Sequence, residues 1–408
     1  MSGLEVKKRM NILLCIFLVL LFCLVVALVW LNVAHGEEYK NAAGSQQTRD
    51  ELVSSKRGTI YDRNMKALAV SINADTVIID PVTIRKNKAA EKISQSLSKV
   101  LSMDYDKIFK ITQKKSSYEV VKKRITPEQS QSIRELNLLG VTLQEDSKRN
   151  YVYGSLAANI LGFTGYDNQG LNGIEMVLDD VLKGTSGRIR VAQANGGEDM
   201  PYPYESYIDP VNGKDVVLTI DEVIQHIAES RLNEAVEKYG VKQGGCVIVM
   251  DPNTGEVLGM AVTTGFDPNN PFEVYDGASQ EKIAALPEDQ RAAAKTEALN
   301  KQWRSKAISD TYEPGSVFKM FTCSSALEEG VTTVNSTFVC RGSLRVGGWD
   351  IKCWRYYNPH GVETLGEGLQ NSCNVVFMTL GLAMGGTTFK KYVQAFGFEN
   401  KTGFILPG

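Results

Sequence analysis

A serine and a lysine three residues apart carry the strongest chemical signal in this sequence. Ser316 follows the helix breakers Pro314 and Gly315. The apolar residues after it predict one buried helical stripe: Val317, Phe318, Met320 and Phe321. At this spacing Ser316 and Lys319 share one helical face and can touch. A serine hydroxyl becomes a good nucleophile when a base takes its proton, and a lysine can be that base once burial lowers its pKa.

The bare pattern Ser-x-x-Lys is common, and it recurs at residues 96–99. That second match lies in a run rich in Lys and Ser, with no helix breaker before it. This composition indicates a solvated helix face. The residues around Ser316, and not the pattern alone, therefore favour chemistry there.

Ser372, Cys373 and Asn374 form a second motif, which begins 56 residues after Ser316. A hydroxyl and a carboxamide two residues apart can both point into one cleft, where the hydroxyl can relay a proton and the amide can hold a substrate peptide group. The same Ser-x-Asn pattern occurs at residues 71–73, and Ser372 and Asn374 have a simpler interpretation as helix caps. The serine–lysine pair upstream favours the chemical interpretation.

The two motifs together resemble those of the penicillin-recognising serine enzymes. The wider sequence resembles one branch, the class B penicillin-binding proteins, which are membrane-anchored DD-transpeptidases that cross-link peptidoglycan. It is most similar to the division and sporulation type, such as the stage V sporulation protein D group. The matching stretches follow the order of that family: Arg57 to Asn64, Gly154 to Gly162, Gly170 to Glu175, Leu218 to Asp221, and Asp251 to Glu256.

The resemblance implies a role for each motif residue. Ser316 would attack the D-Ala-D-Ala carbonyl of a peptidoglycan stem peptide, and Lys319 would accept its proton. Ser372 would relay that proton to the leaving D-Ala, and Asn374 would hold the substrate backbone. β-Lactams would acylate the same serine. The resemblance also implies a partner, a membrane glycosyltransferase of the shape, elongation, division and sporulation family. Two alternatives stay open: a penicillin-binding sensor or β-lactamase, and a non-catalytic membrane scaffold of a cell-wall synthesis complex.

The N-terminus predicts a single-pass membrane protein. Residues 12–31 are twenty apolar residues without a charge, which is enough to span a bilayer as a helix. Lys7, Lys8 and Arg9 precede them and predict a cytoplasmic N-terminus, because positive residues stay inside. We expect an uncleaved anchor in the cell membrane, with the bulk of the chain outside the cytoplasm.

The C-terminal region carries the letters of a third family motif, Lys401-Thr402-Gly403. This match begins only 27 residues after Asn374, whereas the resemblance places the true motif much further along, and Phe404 follows where the family has a small residue. We therefore expect that the chain stops partway through its catalytic domain and is inactive as it stands.

The predicted fold class is α+β, with four segments along the chain. They are a cytoplasmic tail (1–10), a transmembrane anchor (11–32), an α+β pedestal domain of the dimerisation type (33–212), and the incomplete first part of a penicillin-binding/transpeptidase α/β domain (213–408). The pedestal should contain a helix from Glu128 to Leu138 that Thr126 caps, and residues 245–262 should form a hairpin. The net charge of −2 argues against nucleic acid as a partner.

Cysteine and histidine spacing predicts neither a metal nor another cofactor. The three histidines are scattered, and no pair of cysteines has zinc-finger spacing. Cys246 and Cys323 lie on apolar stretches and are predicted to be buried. The remaining extracytoplasmic cysteines are Cys340, Cys353 and Cys373, and two interpretations of them stay open. Cys373 could form a disulfide with Cys353 or Cys340 and make activity redox-dependent, or all three could be free buried thiols.

Overall fold

The computed structural model describes residues 14, 16–26, 29–30, 48–192, 206–263 and 265–407. The chain divides into two compact units, Met1–Ala307 and Ile308–Gly408. The whole predicted cytoplasmic tail and parts of the predicted anchor lie outside the described residues. Among the helices that are described, none combines the length and the apolar character needed to cross a membrane.

The first unit is an α+β structure. Its described strands are β1 (Thr48–Val53), β2 (Ile60–Tyr61), β3 (Ala67–Ile79), β4 (Glu119–Ile125), β5 (Val141–Tyr151), β6 (Gly187–Ala192), β7 (Ser206–Ile208), β8 (Val216–Val217), β9 (Cys246–Met250) and β10 (Val257–Val262). Its described helices are α1 (Pro81–Lys86), α2 (Ala90–Leu101), α3 (Tyr105–Thr112), α4 (Pro127–Leu136), α5 (Ala158–Leu161), α6 (Gly173–Val177), α7 (Asp179–Leu182), α8 (Glu222–Tyr239), α9 (Gly277–Ala285) and α10 (Glu288–Trp303). The short helix α11 (Lys306–Ser309) follows at the boundary of the two units.

The long strand β3 organises the main sheet of this unit. It pairs antiparallel with β5 along nearly its whole length and with β4 on its other side, and β2 links it to β8. Helices α1 to α4 cover one face, and their apolar side chains form a core with the buried Val77 and Ile79 of β3. The remaining strands form a smaller sheet in the order β1-β6-β7 and a hairpin of β9 and β10.

The helix start that the sequence predicts at Thr126 is confirmed. Thr126 accepts a hydrogen bond from the backbone of Gln129, whose side chain returns to the backbone of Thr126, so α4 begins with a capping box. This helix ends at Leu136, slightly earlier than predicted, because Asn137 adopts a left-handed conformation with φ 41°. Asp221 caps α8, because its side chain accepts hydrogen bonds from the backbone N–H groups of Val223 and Ile224.

The predicted hairpin is also confirmed, since β9 and β10 pair antiparallel. The prediction that Cys246 is buried is wrong, because its side chain is exposed. Side chains of a strand alternate between its two faces. Val247 and Val249 pack with α8, so Cys246 lies on the opposite face of the hairpin.

Two of the sequence stretches that resemble the family meet in a buried ion cluster. Glu175 is fully buried and accepts from Nε of Arg57 and from Nε of Arg149, the latter at 2.6 Å. The Arg57 guanidinium also donates to Asp179 at 2.6 Å and to the backbone oxygen of Glu175 at 2.6 Å. Each charge is thus compensated and hydrogen-bonded, which is the condition for burying it.

We expect the substitution Glu175→Gln to destabilise the first unit by about 3–5 kcal/mol, because it leaves two buried arginines without their shared counter-charge. Urea denaturation followed by circular dichroism measures this change in the free energy of unfolding. Glu135→Gln is the matched control, since Glu135 is exposed on α4 and should change stability by less than about 0.5 kcal/mol. A loss as small as that of the control would show that the cluster does not stabilise the unit.

The second unit contains short hairpin strands and three helices in its described part. Its strands are β11 (Thr337–Cys340), β12 (Ser343–Val346), β13 (Trp349–Lys352) and β14 (Gly361–Thr364). A 3₁₀ turn (Gly315–Phe318) leads into α12 (Lys319–Glu328), and α13 (Leu365–Gln370) and α14 (Asn374–Ala395) follow the strands. The core that these elements share consists of Cys323, Ala326, Cys340, Cys353, Leu365, Cys373, Val375, Val376, Phe377, Leu380 and Met384.

The predicted buried stripe after Ser316 is wrong in part. Val317 is 63% exposed and Met320 is 56% exposed. The residues that α12 buries are instead Thr322, Cys323, Ser325 and Ala326. These side chains lie on the face of α12 that packs against the core of the unit, and that face is shifted around the helix from the stripe that the apolar pattern predicted. The prediction that Cys323 is buried is confirmed.

Candidate active site

The side chain of Lys319 joins the two predicted motifs. Its Nζ donates to the backbone oxygen of Ser372 at 2.7 Å, to Ser372 Oγ at 3.0 Å and to Asn374 Oδ1 at 2.7 Å. An ammonium group has three protons to donate, so these acceptors fix its position completely. The structure thereby brings together Lys319, Ser372 and Asn374, three of the four residues that the sequence assigned to one site.

Ser316 lies in the 3₁₀ turn that precedes Lys319. Residues i and i+3 of a 3₁₀ helix lie one above the other, so Ser316 and Lys319 share one face of this turn. The backbone N–H of Lys319 donates to the carbonyl oxygen of Ser316, which closes the turn. Gly315 enters it with φ 60°, a left-handed conformation that glycine adopts without strain. Ser316 is exposed, as a nucleophile for an external substrate must be.

Ser372 has a strained backbone, with φ 50° in the left-handed region. This conformation costs about 1–3 kcal/mol for residues other than glycine and occurs most often at functional sites. Hydrogen bonds on both sides hold it: the N–H of Ser372 donates to Leu369 O at 3.1 Å, and that of Cys373 donates to Gly368 O at 2.8 Å. The residue is therefore fixed between α13 and α14 with its hydroxyl toward Lys319.

The alternative that Ser372 and Asn374 are only helix caps is not supported by the contacts. The N-cap residue of α14 is Cys373, and no side chain caps that helix. The amide of Asn374 instead bridges two elements, since Oδ1 accepts from Lys319 and Nδ2 donates to the backbone oxygen of Lys352 at 3.1 Å. The amide is thus oriented, with its oxygen toward the lysine.

Burial lowers the pKa of the Lys319 ammonium group below that of a free lysine, because desolvation disfavours its charged form. The thiols of Cys353 and Cys373 oppose this effect when they are ionised. The ring of Phe377 lies 5.7 Å from Nζ, and this cation–π contact also favours the charged form. Desolvation is the larger effect, so the pKa of Lys319 is lowered in the direction that a lysine base requires.

Two other stretches that match the letters of the family motifs take no part in the hydrogen bonds around Lys319. Residues 96–99 fall on α2 in the first unit, where Lys99 is exposed. Lys401, Thr402 and Gly403 are exposed in the segment after α14. Neither stretch contributes to the hydrogen bonds of Lys319, whose three donors are all used by Ser372 and Asn374.

Comparison with known families agrees with this geometry. Residues 52–218 match the family described as the penicillin-binding protein dimerisation domain, and residues 245–408 match the penicillin-binding protein transpeptidase domain. Stage V sporulation protein D of Bacillus subtilis is 34% identical over 411 residues, which cover 100% of this chain and 59% of that protein. The chain belongs to the class B penicillin-binding proteins.

Two other penicillin-binding proteins are similar to this chain, one in sequence and one in fold. The peptidoglycan D,D-transpeptidase FtsI of Escherichia coli K12 is 30% identical, and the match covers 97% of this chain and 62% of that protein. A Helicobacter pylori penicillin-binding protein, PBP2, solved in complex with MreC, has the same fold with a TM-score of 0.67 and 22% identity over 88% of this chain and 68% of that one. The chain spans about 60% of the length of the two curated relatives.

Sequence reasoning missed two contacts of this candidate site. The backbone oxygen of Lys352 orients Asn374, and the indole of Trp354 donates to the backbone oxygen of Asn371 at 3.0 Å. Both residues belong to the segment around β13, which has no motif of its own. A backbone carbonyl leaves no signature in the side-chain sequence, so only the fold reveals the first of these contacts.

Proposed function

We propose that the protein is a serine DD-transpeptidase that cross-links peptidoglycan. The observation that carries this proposal is the set of hydrogen bonds from Lys319 Nζ to Ser372 Oγ and Asn374 Oδ1, one turn after Ser316. A base, a hydroxyl relay and an amide beside a serine are the groups that acyl transfer needs.

In the first half-reaction, neutral Lys319 takes the proton of Ser316 while Ser316 Oγ bonds to the carbonyl carbon of the penultimate D-Ala. The backbone N–H of Ser316 donates to the developing oxyanion. The peptide C–N bond then breaks, and Ser372 Oγ gives its proton to the leaving D-Ala nitrogen and is reprotonated by Lys319. Asn374 holds the substrate backbone. An amine of a second stem peptide next attacks the ester, and Ser316 recovers its proton.

The proposed setting follows from the sequence. The anchor at 11–32 holds the protein in the cell membrane, and the pedestal (33–212) and transpeptidase segment (213–408) lie outside the cytoplasm. The substrates are peptidoglycan stem peptides, and β-lactams acylate Ser316 in their place. A membrane glycosyltransferase of the shape, elongation, division and sporulation family would supply the glycan strands. The match of residues 52–218 to a dimerisation domain favours this assignment over a β-lactamase, which needs no such domain.

Labelling of the native protein, expressed from its own gene in the source cells, tests the proposal. We expect fluorescent penicillin to label a membrane band that an antibody to residues 57–192 also detects, and D-Ala-D-Ala peptides to slow that labelling. A protein that releases the penicillin within minutes would be a β-lactamase instead. An antibody band without any label would favour the non-catalytic scaffold.

A further inference from the structure

Three cysteines and a histidine meet in the core of the second unit. One ligand-type atom each of Cys340, Cys353, His360 and Cys373 lies within 4.8 Å of every other one. The three thiols are free and at most 1% exposed. The His360 side chain is 2% exposed, and its Nε2 has no hydrogen-bond partner among the described residues. Four groups of this kind in one buried place form a potential ligand set.

Two pairs of strands bring these residues together. Strands β11 and β14 pair antiparallel with Cys340 opposite Gly361, which places the neighbouring His360 beside Cys340. Strands β12 and β13 form a hairpin in which Ser343 pairs with Lys352. Next to this pair, the N–H of Cys353 donates to Gly342 O at 2.8 Å, so Cys353 lies close in the fold to Cys340. The ligand atoms come from separate parts of the unit, and hydrogen bonds hold the backbone of Cys340, Cys353 and Cys373.

The distance between one pair of these ligand atoms fits a tetrahedral ion. Given Zn–S of about 2.3 Å and Zn–N of about 2.0–2.1 Å, two ligand atoms on one tetrahedral zinc lie about 3.6–3.8 Å apart. Cys353 Sγ and His360 Nδ1 are 3.7 Å apart. Three cysteines with one histidine is also a common donor set of structural zinc sites. A disulfide would use two of the three thiols and leave the third thiol and the imidazole buried without a ligand.

We propose that Cys340, Cys353, His360 and Cys373 bind one zinc ion. Four protein ligands close the coordination sphere, so the ion has a structural role and takes no part in the reaction. The carboxylate of Glu363 lies 3.8 Å from His360 Nδ1 and accepts from Asn371 Nδ2 at 2.6 Å. It therefore connects the ligand shell to the residue that precedes Ser372.

Through Cys373, zinc binding would also affect the active site. This second part of the proposal rests on the function proposed above. Cys373 is the residue between Ser372 and Asn374, whose side chains both accept from Lys319. A metal–sulfur bond to Cys373 fixes the strained backbone of Ser372 at the distance from Lys319 that proton relay requires. The four ligands are thus positioning residues, because they act on the reaction through Ser372 and Asn374.

Metal analysis of the native protein, purified from the source cells without chelators, tests the site independently of penicillin binding. We expect about one zinc per chain, which a thiol-modifying mercurial releases to a chromophoric chelator. Replacement by Co²⁺ should give thiolate-to-cobalt charge-transfer absorption and the intense visible bands of tetrahedral cobalt. Zinc-free protein that also fails to bind Co²⁺ would overturn the proposal, as would a disulfide between Cys353 and Cys373 found by peptide mapping of that protein.

A pair of variants then assigns the ligands. Cys340→Ser should weaken zinc binding by more than about 100-fold, since changes outside the ligand shell alone cost about 10–100-fold. Cys323→Ser is the matched control and should keep the zinc, because Cys323 is buried in the same core but is absent from the cluster. Equal zinc content in both variants would remove Cys340 from the site. The measurements on the unmodified protein decide the proposal if Cys340→Ser does not fold.

Penicillin acylation of the same variants tests the positioning role. We expect Cys340→Ser to be acylated at least about 10-fold more slowly than the unmodified protein, and Cys323→Ser to be acylated at the unmodified rate. A zinc-depleted Cys340→Ser protein that is acylated normally would overturn the positioning role. Zinc in an unmodified protein that penicillin never labels would refute the proposed function and leave the metal site standing.

Discussion

Ser316→Ala removes covalent labelling of the native protein by fluorescent penicillin. The variant keeps the 3₁₀ turn and the hydrogen bonds of Lys319, because neither depends on the Ser316 hydroxyl. It loses the atom that forms the ester. We expect the second-order rate constant of acylation to fall by more than about 10⁴-fold, the scale of losing a serine nucleophile. Stopped-time gel fluorescence at several penicillin concentrations measures this constant.

Ser324→Ala provides the matched control for that experiment. Ser324 lies on α12, is exposed, and its hydroxyl donates to the backbone oxygen of Met320 at 3.0 Å. The same atom is removed from the same helix, outside the motif. We expect the rate constant of acylation of Ser324→Ala to lie within twofold of that of the unmodified protein. Persistent labelling of Ser316→Ala at a defined peptide would assign the nucleophile to another residue and contradict the site.

The half of the site that is local in sequence could be predicted from the sequence alone. Ser316 and Lys319 are one turn apart, so any helical start there places them on one face. Ser372 and Asn374 are distant in sequence, and no periodicity predicts that they reach Lys319. Their assignment came from the Ser-x-Asn pattern together with resemblance to a family, and the hydrogen bonds to Nζ are the physical reason that the two motifs belong together.

The cysteine–histidine cluster shows what sequence spacing does not reveal. Zinc motifs that can be recognised in a sequence place two ligands on one tight turn. Here 12, 6 and 12 residues separate the successive ligands Cys340, Cys353, His360 and Cys373. Their meeting depends on strand register, which opposes Cys340 to Gly361, and a slip of one residue would turn Cys340 away from the core. The sequence-based expectation of no metal was drawn from spacing and could not include this register.

The prediction of a buried stripe after Ser316 was wrong in part for a related reason. An apolar pattern shows which side chains could be buried, while the packing partners decide which are. The core of the second unit contains Cys323 and Ala326 of α12, and the same face includes Thr322 and Ser325. Small and polar residues there permit close packing, and they do not stand out in a hydrophobic pattern. The helices and the hairpin of the first unit were easier to predict, because caps and turns are local signals.

Lys319→Arg separates proton acceptance from charge at the active site. Arginine keeps the positive charge and can donate to Ser372 O and Asn374 Oδ1, but it does not lose a proton in proteins. If Lys319 is the base, we expect the acylation rate constant to fall by about 10²–10⁴-fold, the contribution of general base catalysis. Lys391→Arg is the matched control, because Lys391 is exposed and bonds only to surface groups such as Glu329 at 2.8 Å. The acylation rate constant of Lys391→Arg should stay within twofold of that of the unmodified protein.

The pH dependence of acylation decides whether the neutral amine of Lys319 is the reactive form. Burial lowers the pKa of Lys319, so the fraction of neutral amine at a given pH is larger than for an exposed lysine. Since the neutral form accepts the proton, the rate constant should rise with pH and level off above the lowered pKa. Lys319→Arg should lack this rise, because its guanidinium stays charged across the range. An equal rise in both proteins would assign the titration to another group and leave Lys319 with an electrostatic role only.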